Sequence, residues 1–156
     1  MLKRFGFLLS LVLLIPILSG CSSAQNVSLD SEFILSIGQS ARITGEGMNI
    51  KFVGVTTDSR CPKGVECFQA GVVTCETEIT KDNVKTQLFL GEVGTMIDNT
   101  PFQNYTLTFH VSPYPEAGKK IAKGDYRLYL TVSKSGQWCF IAGDKLFYAV
   151  LENAAC

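Results

Sequence analysis

From residue 33 onward, apolar residues recur at every second position far more often than at every third or fourth. In the clearest segment, Tyr105, Leu107, Phe109 and Val111 alternate with polar residues. A period of two places apolar side chains on one face of a β-strand, whereas a helix needs a period near 3.6. The chain is therefore expected to bury one face of each of several strands.

Six segments share this alternation or a close variant of it: 33–37, 48–57, 70–80, 84–90, 104–112 and 125–133. A seventh, Leu146 to Leu151, is apolar on both faces, which is typical of a strand covered on both sides. No amphipathic helix pattern of useful length is present, and residues 116–124 favour one helical turn at most. The pattern predicts an all-β fold, a small disulfide-stabilised β-sandwich or partly open barrel of about seven to nine antiparallel strands.

Two local features refine this prediction. In 48–57 the apolar phase changes at Gly54, which indicates a β-bulge. Lys81-Asp82-Asn83 predicts a short hairpin loop between the strands on either side.

The N-terminus has the pattern of an export signal. After Lys3 and Arg4, the 14 residues from Phe5 to Leu18 include 11 large apolar ones. A membrane-spanning helix needs about 20 apolar residues, and the core of a signal peptide needs about 7–15. Residues 1–20 are therefore predicted to be a signal peptide, and residues 32–156 one folded domain.

The signal ends in Leu18-Ser19-Gly20-Cys21, which resembles the lipobox of bacterial lipoproteins. The resemblance implies that a diacylglycerol is attached to the Cys21 thiol, that cleavage occurs before Cys21, and that the new amino terminus is acylated. Residues 21–31 are small and polar at first and are expected to form a flexible lipidated tether. The protein is expected on the extracytoplasmic side of a membrane, the outer one if the organism has two.

Charge narrows the range of partners. The 14 basic residues balance 14 acidic ones, and loss of Lys3 and Arg4 with the signal would leave two more acidic groups than basic groups. No basic excess is available to neutralise a phosphate backbone, so nucleic acid is not an expected partner. The expected contacts are the membrane, through the lipid, and an envelope protein; the oligomeric state is open.

The most distinctive stretch runs from Thr57 to Gly71 and has the composition of a loop. Cys61 and Cys67 enclose five residues, a span suited to a local disulfide. One interpretation is a stabilising connection, and the other is a preorganised recognition loop. In the second, the binding residues are Asp58, Arg60, Lys63 and Glu66, with the last three carried outward.

This loop resembles that of a family of small, uncharacterised bacterial envelope lipoproteins. The shared features are Asp58-Ser59-Arg60-Cys61-Pro62, a second cysteine, and Ala70-Gly71 leading into a strand. Pro113-Tyr114-Pro115 and Asp125-Tyr126 also look like the second half of that family, although Gln69 stands where such loops often have Trp. The resemblance implies a grouping and no activity.

The remaining cysteines are Cys75, Cys139 and Cys156, an odd number. Cys75 shares a strand face with Val73 and Ile79, which indicates an inert core thiol. Cys139 and Cys156 could then pair, and pairing of Cys75 with either is the alternative. Spacing alone does not decide between them.

No catalytic residues, metal site or cofactor are predicted. The one histidine, His110, falls on the polar face of its strand, and no hydrolase or metalloprotease motif is present. The sequence favours a non-catalytic binding or envelope-structural module. Two alternatives remain: a protease inhibitor that presents residues 60–67, and a thiol or metal protein that uses His110 with free cysteines.

Overall fold

The computed structural model describes residues 24–136. Nine strands make up most of this part of the chain: β1 Gln25–Val27, β2 Phe33–Ser36, β3 Ser40–Ile43, β4 Met48–Asp58, β5 Val72–Lys81, β6 Val84–Val93, β7 Asp98–Phe102, β8 Tyr105–Ser112 and β9 Arg127–Lys134. A 3₁₀ turn, Lys123–Asp125, overlaps the end of 116–124, for which one helical turn at most was predicted.

The strands form two sheets that face each other. One sheet has the order β1-β3-β4-β5-β6 and the other has the order β2-β9-β8-β7. Every neighbouring pair is antiparallel except β1 and β3, which are parallel. The fold is therefore all-β with two sheets and no closed barrel, as the sequence predicted.

The core lies between the sheets and follows the alternation in the sequence. In β8, Tyr105, Leu107, Phe109 and Val111 are buried, and the residues between them are partly exposed. The inner face of the other sheet contributes the same kind of side chain from β3, β4, β5 and β6. Burial of these two apolar faces against each other is the main stabilising contribution.

The local predictions are confirmed. The register of β4 against β5 shifts between Phe52 and Gly54, and again between Val55 and Thr57, so the strand carries two bulges. Asp82 and Asn83 both have positive φ and join β5 to β6 in a tight hairpin. Two residues with positive φ give a type I′ turn, whose twist matches that of the strands.

The prediction that residues 21–31 form a flexible tether is wrong from Gln25 onward. Gln25–Val27 pair with β3, and Val27 and Leu29 pack against the core. Such a short, largely polar strand has no alternation to detect, and it is ordered by a neighbour distant in the sequence. β3 and β7 were also missed, because each has only four or five residues and its alternation is too short to stand out, although each pairs with the next strand in the chain.

Some predictions lie outside the described residues. These are the signal peptide 1–20, the lipidated Cys21, the strand 146–151, and the pairing of Cys139 with Cys156. Within 24–136, no helix is long and apolar enough to cross a bilayer.

Candidate functional site: a stapled loop at one end of the sandwich

Three connections meet at one end of the sandwich, which we call the loop end: residues 59–71 between β4 and β5, residues 94–97 after β6, and residues 113–126 between β8 and β9. Cys61 and Cys67 form the predicted disulfide within the first of them. Gly94 N–H donates to the Gly71 carbonyl (3.1 Å), which ties the second connection to the first.

The 59–71 loop is fixed by backbone hydrogen bonds on both sides. Ser59 and Cys61 N–H donate to the carbonyls of Val72 and Ala70, both at 2.8 Å. Lys63 N–H donates to the carbonyl of Pro115 (2.9 Å), so that the loop is also bridged to 113–126. The loop is therefore held by its neighbours as well as by its disulfide.

We expect replacement of both loop cysteines by serine to lower the free energy of unfolding by about 2–2.5 kcal/mol, the chain-entropy value for a ring of this size. The backbone bonds that remain should keep the folded state intact. Denaturant unfolding of the double variant checks this. A loss above about 4 kcal/mol would mean that the disulfide, and not the hydrogen bonds, holds the loop.

Arg60 is buried, which contradicts the prediction that its side chain points outward. Its residue is only 3% exposed. The guanidinium donates to both carboxylate oxygens of Asp58 (3.0 and 2.7 Å) and to the carbonyls of Val111 (2.7 Å) and Pro113 (3.0 Å). It also lies over the ring of Tyr114, 5.0 Å from the centroid. Arg60 thus joins the loop to the opposite sheet and is not a surface contact.

Glu92, which the sequence reasoning missed, completes this buried cluster. It is also 3% exposed, its carboxylate accepts a hydrogen bond from Val111 N–H, and it lies 3.8 Å from Arg60 Nη1. Burial raises the pKa of Glu92 and outweighs the lowering by Val111 N–H and Arg60. In the alternation of β6, Glu92 falls on the face of Leu90, the one signal in the sequence that it points inward.

The pKa of Asp58 shifts in the opposite direction, downward. Burial alone would raise its pKa, but hydrogen bonds from the Arg60 side chain and backbone, the Arg60 charge and the Tyr126 hydroxyl (3.1 Å) hold the pKa of Asp58 below its usual 3.8. Asp58 is therefore a structural partner of Arg60, mostly buried, rather than a binding residue.

These shifts predict a pH dependence. Because the pKa of Asp58 is lowered on folding, its contribution to stability is present above about 3.8 and is lost as the pH falls through the folded value. Because the pKa of Glu92 is raised on folding, its contribution is present below about 4.5 and is lost as the pH rises through the folded value.

In Glu92→Gln the side chain keeps an acceptor for Val111 N–H but no longer titrates. We therefore expect the free energy of unfolding of this variant to lack the fall above pH 4.5 that Glu92 causes in the parent protein. Each pKa unit that separates folded from unfolded Glu92 contributes about 1.4 kcal/mol to the difference between the two proteins. Unfolding free energies of both proteins from pH 4 to 8 measure that difference, since all other carboxyl groups are shared. Parallel profiles would rule out this role for Glu92.

Of the four predicted binding residues, only Lys63 and Glu66 are exposed. Lys63 Nζ lies 5.8 Å from the centroid of the Tyr114 ring, on which Arg60 also packs. The burial of Arg60 removes it as the residue that a protease inhibitor would present, since an inhibitor presents an exposed residue to the protease. In that alternative only Lys63 remains as the presented basic residue.

Large apolar side chains are exposed at the loop end beside charged ones. Among the described residues, eight large apolar side chains are exposed, and five of them lie here: Val65, Phe68, Val93, Met96 and Ile97. Phe68 is fully exposed. A shallow cleft of about 440 Å³ lies where the three connections meet and is bordered by Val65, Val93, Met96 and Tyr114. The sequence signal for this surface was apolar residues within two segments of loop composition, and it was overlooked.

Cys75 and His110, the two residues of the thiol or metal alternative that lie within 24–136, do not meet. Cys75 is buried in the core, as predicted, and burial raises the pKa of its thiol to about 12, which disfavours a reactive thiolate. His110 stacks on Tyr129 of the neighbouring strand, with ring centroids 4.2 Å apart. Within 24–136, no three acidic, histidine or cysteine side chains are grouped as metal ligands would be. Cys139 and Cys156 lie outside this range.

Comparison with protein-family models, with curated proteins and with solved structures finds no match for this chain. The resemblance to envelope lipoproteins thus stays a prediction from the sequence.

Proposed function

We propose that the protein is a bacterial lipoprotein, held on the extracytoplasmic side of a membrane by diacylglycerol on Cys21, whose sandwich is a non-catalytic binding module. Its contact surface is the loop end. Of the four residues predicted to bind, Lys63 and Glu66 lie on this surface, and Asp58 and Arg60 form an ion pair beneath it.

The observation that carries this proposal is the exposure of Phe68 on a loop that is otherwise fixed. Burial of apolar surface stabilises a protein by about 25 cal/mol for each Å² removed from water, and an exposed apolar group lacks this stabilisation. Here five such groups lie in or beside connections that carry a disulfide and are joined by backbone hydrogen bonds. Three of them, Val65, Val93 and Met96, border one cleft. Grouped apolar exposure marks interaction sites, and a rigid loop lowers the ordering cost of binding.

The location is supported by the signal-like N-terminus, by the Leu18-Ser19-Gly20-Cys21 pattern and by the Cys61–Cys67 disulfide, which suits an oxidising compartment. Intact mass spectrometry of the protein extracted from membranes tests it. We expect a chain that begins at Cys21 and carries the mass of a diacylglyceryl group and an acyl group. A chain in the soluble fraction with an unmodified Cys21 would refute the anchor.

A photocrosslinking amino acid placed at position 68 tests the contact surface in cells. We expect adducts from position 68 and few from position 89, because Phe89 is also an exposed phenylalanine but lies on β6 outside the loop end. Equal yields from the two positions would show that the loop end has no special partner.

A further inference from the structure

We infer that the partner of the exposed apolar residues is the lipid bilayer itself, so that the domain is attached to the membrane at two points. This inference rests on the proposed lipidation of Cys21. It follows from the length and direction of the chain between Cys21 and β1, and from the chemistry of the loop end.

The connection is too short to hold the domain away from the membrane. β1 begins at Gln25, four residues after Cys21. An extended chain spans at most about 3.5 Å for each residue, so Cys21 lies within about 14 Å of Gln25. The lipid on Cys21 would therefore keep the folded domain against the head groups.

The direction of β1 points this connection towards the loop end. β3 runs away from the loop end, since it is antiparallel to β4, and β4 ends there at Asp58. β1 is parallel to β3, so the chain before Gln25 approaches from the side of the loop end.

The register gives the distances along the sheet. Gln25 is level with Ala41 and thus with Ile50, and from Ile50 to Asp58 the paired strand β5 advances six residues, or about 20 Å. Cys21 can reach about 14 Å of this. Even fully extended, the chain leaves Cys21 about 6 Å short of the level of Asp58, where the loop end begins. When Cys21 is at the interface and the strands stand along the membrane normal, the loop end therefore enters the interface. Apolar groups of interfacial proteins are typically buried about 5–10 Å into this layer.

The side chains at the loop end suit an interface between water and lipid. Phe68, Val65, Met96 and Ile97 supply apolar groups for the acyl boundary. The same connections also carry exposed lysines, whose long stems can place the charge at the phosphates: Lys63, Lys119, Lys120 and Lys123. Exposed acidic residues of the same connections nearly balance these lysines: Glu66, Glu116 and Asp125. Insertion of apolar groups, rather than charge, would therefore dominate, and contact should persist at high salt.

The rest of the chain leaves from the opposite end. Lys134 of β9 pairs with Tyr105, and Ser135 N–H donates to the Asn104 carbonyl, so the described chain ends at Gly136 far from Phe68. Residues 137–156, a second copy of the chain and another protein are the competing occupants of the surface.

The test uses the full lipidated protein in phosphatidylcholine vesicles that contain a lipid with a diazirine in its acyl chain. After irradiation, peptide mass spectrometry locates the lipid adducts. We expect adducts within 64–70 and 93–97, and a loss of at least fivefold in the Phe68→Ser/Met96→Ser variant. The matched control is Val84→Ser/Phe89→Ser, which removes two exposed apolar groups from β6 and should leave the adducts unchanged. Thermal unfolding of both variants establishes that each is folded.

Each other outcome contradicts the inference. Protein that floats with the vesicles but carries no adducts at the loop end would show that the anchor is the single attachment. Crosslinks from the loop end to residues 137–156 or to a second copy would identify a different occupant. Protein with an unmodified Cys21 that does not float would refute the proposed function, and this inference with it.

Discussion

Replacement of Arg60 by alanine is expected to lower the free energy of unfolding by about 3–5 kcal/mol, the usual cost of removing one partner of a buried ion pair. The guanidinium neutralises Asp58, lies near Glu92 and donates to the Val111 and Pro113 carbonyls, all in a site closed to water. Without it, Asp58 keeps only the Tyr126 hydroxyl and the backbone N–H of residue 60, and Glu92 keeps only Val111 N–H. The two carbonyls lose the guanidinium, and water cannot replace it without opening the loop. Urea unfolding followed by circular dichroism measures the loss.

Lys63→Ala is the matched control, because Lys63 is a basic residue of the same loop but is exposed. Its effect should stay within about 0.5 kcal/mol. Arg60→Lys should fall between the two, since an ammonium group keeps the charge but not the planar fork that bonds Asp58 and both carbonyls together. A loss below about 1 kcal/mol for Arg60→Ala would contradict the assignment of Arg60 as the residue that joins the loop to the second sheet.

Gly71→Ala is expected to cost about 3 kcal/mol or more. Gly71 has a φ of +71°, and a Cβ built on it would lie 1.8 Å from the carbonyl oxygen of Ser59. The left-handed conformation alone costs a residue with a side chain about 1–2 kcal/mol, and a clash with backbone cannot be relieved by a rotamer change. The loop must therefore move away from β5, which breaks the bonds between Ser59 and Val72.

Gly64→Ala separates the two parts of this cost. Gly64 also has positive φ (+83°), but a Cβ there would meet no atom within 4 Å. Its replacement should cost about 1–2 kcal/mol, the conformational part alone. Denaturant unfolding of both variants gives the comparison, and similar losses would show that the close approach of Ser59 to Gly71 is unimportant.

Gly71 and Arg60 differ in how far the sequence could predict their roles. Ala70-Gly71 before a strand was recognised as part of a motif, although the contact that requires glycine lies twelve residues away, at Ser59. Arg60 was assigned to the surface because charged residues in loops are usually solvated. Its carbonyl partners follow it by more than fifty residues in the chain, and nothing local indicates them.

The sequence by itself determined the all-β class, most of the long strands, the bulge near Gly54, the tight hairpin at Asp82-Asn83 and the Cys61–Cys67 pairing. These features depend on the period of side chains along one strand or on residues a few positions apart. Only the tertiary structure decided that β1 forms a strand beside β3, that Arg60 and Glu92 are buried, and that Phe68, Met96 and Ile97 are exposed at the same end. A charge is buried only where distant groups can pair with it, and an apolar surface forms only where separate connections meet, so both depend on how the two sheets are assembled.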